Sequence, residues 1–390
     1  MPPGAFASVL LVVLGQVQWD ARLRAEGRAL RDEAGDLQLE PGLGVESYSR
    51  ETLLRARYDP QLIFREPSSR GTLDVLHRAE LSLAWQVERD FAVTASQTGS
   101  AGVSDLSWLA LPPEAAPPVN VQGISGPARS IVGEMSSITV AGRASDRLSV
   151  SLTGGFGVSG ALRDEDLAVL PRTSTARLRA ATTWTERRDA FSLVADASYG
   201  WVTTGYTTDT VDAGVAWRHA FTAASEHALT ERVVARRDET LGPRYEVEMR
   251  GGVAALGGSD PVQSRGVMPT GSLLLLREAP RTSGAVAARL VLHYAPIVDP
   301  TTGAFTPHGD VSALVDVRLA RQLFATGAFG LGYTPDPAPP FPRTVAQGGL
   351  ALGYEAAPGV TISAGVRVAR LPETEWAGVV STTLRRHGRF

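Results

Sequence analysis

Between Arg172 and Phe221 the chain alternates apolar and polar residues three times over. Ala176, Leu178, Ala180 and Trp184 stand against Arg177, Arg179 and Thr183. The tight turn Glu186-Arg187-Arg188-Asp189 follows. Phe191, Leu193, Ala195, Ala197 and Tyr199 then alternate with Ser192, Asp196 and Ser198. After a Gly/Thr stretch, Val211, Ala213, Val215 and Trp217 alternate with Asp212, Gly214 and Arg218. Successive strand side chains point to opposite faces, so each run reads as a strand with one apolar and one polar face. The apolar faces end in aromatics, Trp184, Tyr199 and Trp217. That combination points to a barrel in a membrane more than to a soluble sandwich.

The same period runs through most of the 390 residues. It begins at Leu37, Leu39, Leu43 and Val45. It continues over 53–64, over 73–85 and from Phe91, and then over 131–143 and 147–159. Beyond the opening stretch, a run reaches Arg237, and the clearest alternation follows at 244–255. Runs at 267–277, 285–294, 311–319, 323–333, 346–354, 360–368 and 376–385 complete the chain. Pro-rich stretches, with Pro-Pro at 112–113 and 117–118, break the array as loops. The expected fold is all-β, a closed antiparallel transmembrane β-barrel of about 18 strands, with 16 the nearest alternative. One regularity fails. Short turns follow strands 3, 5 and 7 but then strands 14 and 16, although short turns belong on one side of a barrel. A strand miscounted at the N-terminus and a compensating error between Thr222 and Pro307 would restore the order.

The N-terminus reads differently. Residues 1–18 look like a signal peptide, with an apolar stretch from Ala5 to Leu14 but neither a preceding cation nor a clean Ala-x-Ala. Residues 19–36 are rich in Ala, Arg and Glu, and Ala21, Leu23, Leu30 and Ala34 fall near helical spacing. This segment is expected to be a short helical or irregular piece, with the barrel occupying 37–390.

Composition narrows the function. There is no cysteine, which removes disulfides, thiolate metal sites and thiol nucleophiles. All 38 basic residues are arginine, and the net charge of −3 gives no footprint for nucleic acid. The longest apolar run is too short for a membrane helix, so a membrane reading requires a closed barrel. A barrel also explains charges set deep within strands, because a wide aqueous lumen hydrates them. The expected lumen-lining residues are Arg177, Arg179, Asp196, Arg218, Arg244, Glu246, Glu248, Arg250, Arg289, Asp316, Arg318 and Arg367. Aromatics expected at the membrane interfaces are Trp85, Trp184, Tyr199, Trp217, Tyr294, Tyr333, Tyr354 and Trp376. The chain ends in Phe390, as outer-membrane barrels commonly do.

No enzyme signature stands out. His219 and His227 flank Ser225 and Glu226, but no Gly-x-Ser-x-Gly elbow accompanies them. The tract Arg163-Asp164-Glu165-Asp166 lacks the ligand spacing of a calcium loop. No catalytic residue, metal or cofactor is expected. The mixed signs of the lumen charges suit a hydrated channel for neutral or zwitterionic polymers, or a pore closed by salt bridges.

Arg57-Tyr58-Asp59-Pro60, followed by Leu76-His77-Arg78-Ala79-Glu80-Leu81, resembles the N-terminal strands of the 18-stranded outer-membrane barrels of bacterial polysaccharide export. The resemblance implies a polysaccharide substrate and a short Wza-type periplasmic export protein as partner. A barrel in the outer membrane further implies contact with outer-membrane lipid, and with the barrel-assembly machinery through the strand ending at Phe390. The alternatives are a porin for small solutes and a plugged structural or adhesive barrel.

Overall fold

The computed structural model describes residues 16–29, 36–64, 73–104, 129–168, 170–220, 244–259, 266–278, 285–298, 305–335, 343–370 and 376–389. Alternation sets the architecture. Nineteen strands follow in order: β1 (Gln16–Ala29), β2 (Asp36–Tyr48), β3 (Thr52–Tyr58), β4 (Gln61–Phe64), β5 (Leu73–Glu88), β6 (Phe91–Ser104), β7 (Arg129–Arg143), β8 (Leu148–Ala161), β9 (Thr173–Glu186) and β10 (Asp189–Val202). They continue with β11 (Thr207–Ala220), β12 (Arg244–Gly258), β13 (Gly266–Glu278), β14 (Val286–Val298), β15 (Phe305–Arg318), β16 (Leu323–Tyr333), β17 (Thr344–Ala357), β18 (Val360–Arg370) and β19 (Trp376–Arg389). Neighbours pair antiparallel in chain order, and β1 pairs with β19. The sheet therefore closes on itself and leaves no edge.

The cylinder has eighteen staves, because β3 and β4 are one stave in two pieces. Both lie between β2 and β5. The break falls at Asp59-Pro60, where proline has no N–H to give the ladder. The Asp59 N–H still reaches Arg78 O at 2.9 Å, so the line of the stave carries through.

Two corrections to the sequence reading follow. The described residues of 19–36 are not helical. Most of them form β1, hydrogen-bonded to β2 on one side and β19 on the other. The barrel therefore begins at Gln16, which also takes the end of the signal-like segment; residues 1–15 lie outside the described residues. Helix propensity in an Ala/Arg/Glu-rich stretch is a weak preference, and closing the cylinder satisfies two rows of backbone groups instead. The run to Arg237 also lies outside the described residues. Among the described residues β11 pairs directly with β12, and with β1 included the staves number eighteen. The short links at 49–51, 89–90, 144–147, 187–188, 319–322 and 358–359 fall on the rim that holds Gln16 and Arg389, while the four-residue link 203–206 lies on the other rim. Short turns mark the periplasmic rim of an outer-membrane barrel.

Alternation also sorts the faces. Leu178, Leu193, Val215, Val253, Leu350 and Val380 are each at least half exposed and point outward. Their sequence neighbours Arg177, Ser192, Gly214, Gly252, Gly349 and Ser381 point inward. On the turn rim the outward aromatics are Trp85, Trp184, Phe191, Tyr245 and Tyr354. Towards the other rim stand Tyr58, Phe156, Tyr199, Trp201, Tyr294 and Tyr333. Two such girdles flanking an apolar band match a bilayer and its two interfaces. Polar tips find partners there: the Trp217 indole N–H donates to Asp189 Oδ1 at 3.0 Å, and the Arg277 guanidinium lies over the Tyr245 ring at 5.6 Å. Trp376 begins β19, with its side chain outside the described residues.

Gly102 near the top of β6 is one place where the ladder tolerates no side chain. Its φ is +145°, and a Cβ there would lie 2.2 Å from Val75 O. Gly102→Ala is expected to destabilise the barrel by about 1–3 kcal/mol. Gly251→Ala, where nothing lies within 4 Å, provides the control. Urea midpoints of the two variants in detergent check this, and equal midpoints would refute it.

Candidate functional site: the lumen wall

At about 4.8 Å between staves, eighteen of them give a backbone cylinder roughly 27 Å across before strand tilt widens it. That is wide enough for its inward face to be a wall around space. The wall has four sectors. Two opposite sectors are charged, and the two between them are neutral.

The first charged sector covers β18, β19 and β1 to β5. Arg22 contacts Glu40 at 2.6 Å and Asp59 at 3.3 Å. Arg57 also holds Asp59, at 2.5 Å. Gly42 makes this possible, since a Cβ on it would sit 2.1 Å from Asp59 Oδ1. Glu26 pairs with both Arg24 and Arg367, and Arg385 reaches Asp20 at 2.8 Å. Arg24, Glu26, Gln38, Glu40 and Gln61 are all buried.

The second charged sector covers β9 to β15. Arg177 grips Asp196 through two nitrogens, with Nε at 2.8 Å from Oδ1 and 3.0 Å from Oδ2. Arg250 pairs with Asp212, whose second oxygen accepts the Thr270 hydroxyl at 2.6 Å. His293 Nδ1 lies 3.2 Å from Asp310 Oδ2, and His308 Nδ1 lies 2.9 Å from the Thr334 hydroxyl. Arg318 bridges to Glu355 at 2.9 Å, and Thr326 donates to Asp316 at 2.6 Å. A cavity of about 280 Å³ opens here, walled by Arg177, Asp196, Asp212, Arg250, His293 and small hydroxyl residues.

The neutral sector on β6 to β8 is lined by hydroxyls. Ser96 and Ser137 meet at 2.8 Å, as do Thr139 and Thr153. The sector on β16 and β17 carries mostly small residues and Gln347. Among the described residues the inward face holds no column of aromatic rings. Tyr48 and Phe324 stand singly near the turn rim.

Arg177, Arg179, Asp196, Arg218, Glu246, Glu248, Arg250, Arg289, Asp316, Arg318 and Arg367 all fall on the inward face by register. They are not one cluster. Arg367 belongs to the first charged sector, and the others to the second. Arg244 starts β12, with its side chain outside the described residues. The sequence reading passed over Asp20, Arg22, Arg24, Glu26, Glu40, Asp59 and Arg78, half of the charged wall. The signal was present in β1, where Gln18, Asp20, Arg22, Arg24 and Glu26 alternate with Trp19, Ala21, Leu23 and Ala25.

The acidic tract at 163–166 has a structural use. Asp166 is buried, and its Oδ2 accepts the Ser130 N–H at 3.1 Å and the Ser130 hydroxyl at 2.8 Å, which pins the rim between β8 and β9. His219 bonds Asp189 at 2.8 Å. Ser225, Glu226 and His227 lie outside the described residues, as does Phe390.

A closed cylinder with an apolar exterior, two aromatic girdles and a charged, hydroxylated interior is an integral channel of the bacterial outer membrane. No family model and no curated protein matches the chain. Solved structures resemble it in shape. OccAB4 of Acinetobacter baumannii has a TM-score of 0.49 at 10% identity, over 97% of this chain and 99% of that one. The outer-membrane protein opdK of Pseudomonas aeruginosa has a TM-score of 0.48 at 9% identity, over 96% and 99%. CdiB of Acinetobacter baumannii scores 0.46 at 10% identity; the match covers 95% of this chain and spans only 60% of CdiB. What the channel passes is read from its own wall.

Proposed function

We propose that the protein is a passive porin for small polar solutes. The carrying observation is the wall itself. Its two charged sectors are laced side chain to side chain, and the second of them walls a half-open cavity of about 280 Å³, the size of a small molecule. Passage of a long glycan with a Wza-type partner is the second reading. The hydroxyl sector on β6 to β8 favours it, because it offers donors and acceptors in rows. Among the described residues no column of inward aromatic rings offers the C–H faces of a sugar a surface to slide on, which weighs against it. Reconstitution into planar bilayers separates the two. Steady, ungated conductance by the purified barrel alone is the expected result. A barrel that stays closed until a periplasmic partner or a polymer is added would overturn the porin reading.

A further inference from the structure

The second charged sector contains a guanidinium with nothing to hold it. Arg179 is exposed to the lumen on β9 and forms no hydrogen bond or ion pair among the described residues. Its register partner is Asp196, yet both oxygens of Asp196 are taken by Arg177. The next carboxylate in the row, Asp212, is equally filled, by Arg250 and Thr270. Glu248, further down β12, is the other acid within electrostatic reach of Arg179. Three guanidiniums, Arg177, Arg179 and Arg250, thus face two saturated carboxylates. The surplus is in hydrogen-bond donors. Arg177 uses Nε and Nη2 on Asp196, which leaves its other edge unused, and its side chain is 59% exposed. Arg250 Nε is buried beside the cavity and has no acceptor. Guanidinium has donors only, so an occupant must bring acceptors.

We propose that Arg179, with the free edge of Arg177 and with Arg250 beside them, forms an oxyanion-binding site inside the lumen. Planar forks match a phosphate, sulfate or carboxylate group. A solute carrying one would pause at this point of the wall, and its charge would offset the crowding of three like charges. The site deepens the porin reading and gives the channel a preference among polar solutes.

The probe is inorganic phosphate. In planar bilayers carrying chloride current, added phosphate is expected to block the wild-type channel in a saturable manner. Arg179→Gln should raise the blocking concentration by at least about ten-fold, the effect of losing a charge-assisted contact, while chloride conductance persists. Arg179→Lys should recover part of the block, since it restores charge without the fork. In parallel, line broadening of the phosphorus resonance of phosphate by detergent-solubilised barrel reads binding without needing conduction. Broadening that is lost in Arg179→Gln supports the site even if the barrel proves closed, in which case only the porin reading fails. An open wild-type channel without block, or equal broadening by both proteins, overturns the site.

Discussion

Replacing Glu26 by glutamine is expected to destabilise the barrel by about 3–5 kcal/mol, the usual cost of removing one partner from a buried ion pair. Glu26 is 3% exposed and lies between Arg24 and Arg367. Glutamine keeps the shape but leaves two guanidiniums facing each other out of water. The position magnifies the effect. Glu26 is on β1 and Arg367 on β18, so their contact reaches over β19, the strand that closes the cylinder on β1. Arg367→Gln alone should cost less, because Arg24 still has its carboxylate. The two single variants should be non-additive in a double-mutant cycle. Urea unfolding in detergent measures this. A Glu26→Gln midpoint within error of wild type would show that the seam is held by backbone pairing alone. Buried pairs are poorly screened, so added salt should leave the difference nearly intact.

The same residue shows what the sequence displays and what it hides. The fold class is legible because period two is a local signal, repeated in every stave. Lumen and lipid faces are legible for the same reason: Arg177 and Leu178 differ by one position and fall on opposite sides of the wall. β1 is hidden because two patterns overlap in it. Its Ala, Arg and Glu favour a helix locally, while Asp20, Arg22, Arg24 and Glu26 alternate as a strand does. Only closure decides between them, and closure is a contact between residues more than 350 positions apart, such as Asp20 with Arg385. The misplaced short turns were the trace of that contact in the sequence, because parity around a ring counts every stave. The partners within the wall are beyond the sequence for another reason. Arg177 takes Asp196 although Arg179 is the residue directly opposite it. Such a choice depends on side-chain reach across the ladder and has no periodic signature.

Leu193→Arg and Ser192→Arg form a pair of adjacent substitutions with opposite expected outcomes. Leu193 is 65% exposed on the outward face of β10 and pairs with Val215 and Thr182 across its neighbours. An arginine there must sit in hydrocarbon or drag water to itself, at about 2–4 kcal/mol near the midplane of a bilayer. That is roughly a thirty-fold to several-hundred-fold shift in the folding equilibrium in lipid vesicles. Ser192 points into the lumen, where its hydroxyl meets that of Thr183 at 2.8 Å. An arginine there enters water and loses one weak hydrogen bond, so folding should change by less than about 1 kcal/mol. Folding into vesicles, followed by the mobility shift of unheated barrel on a gel, reads both. In detergent the gap should shrink, because a micelle deforms around a charge more readily than a bilayer does. If Ser192→Arg proves the more damaging of the two, the face assignment of β10 is inverted. The register that ties β9, β10, β11 and β12 would invert with it, and Arg177, Arg179, Asp196 and Arg250 would then face lipid and form no channel wall.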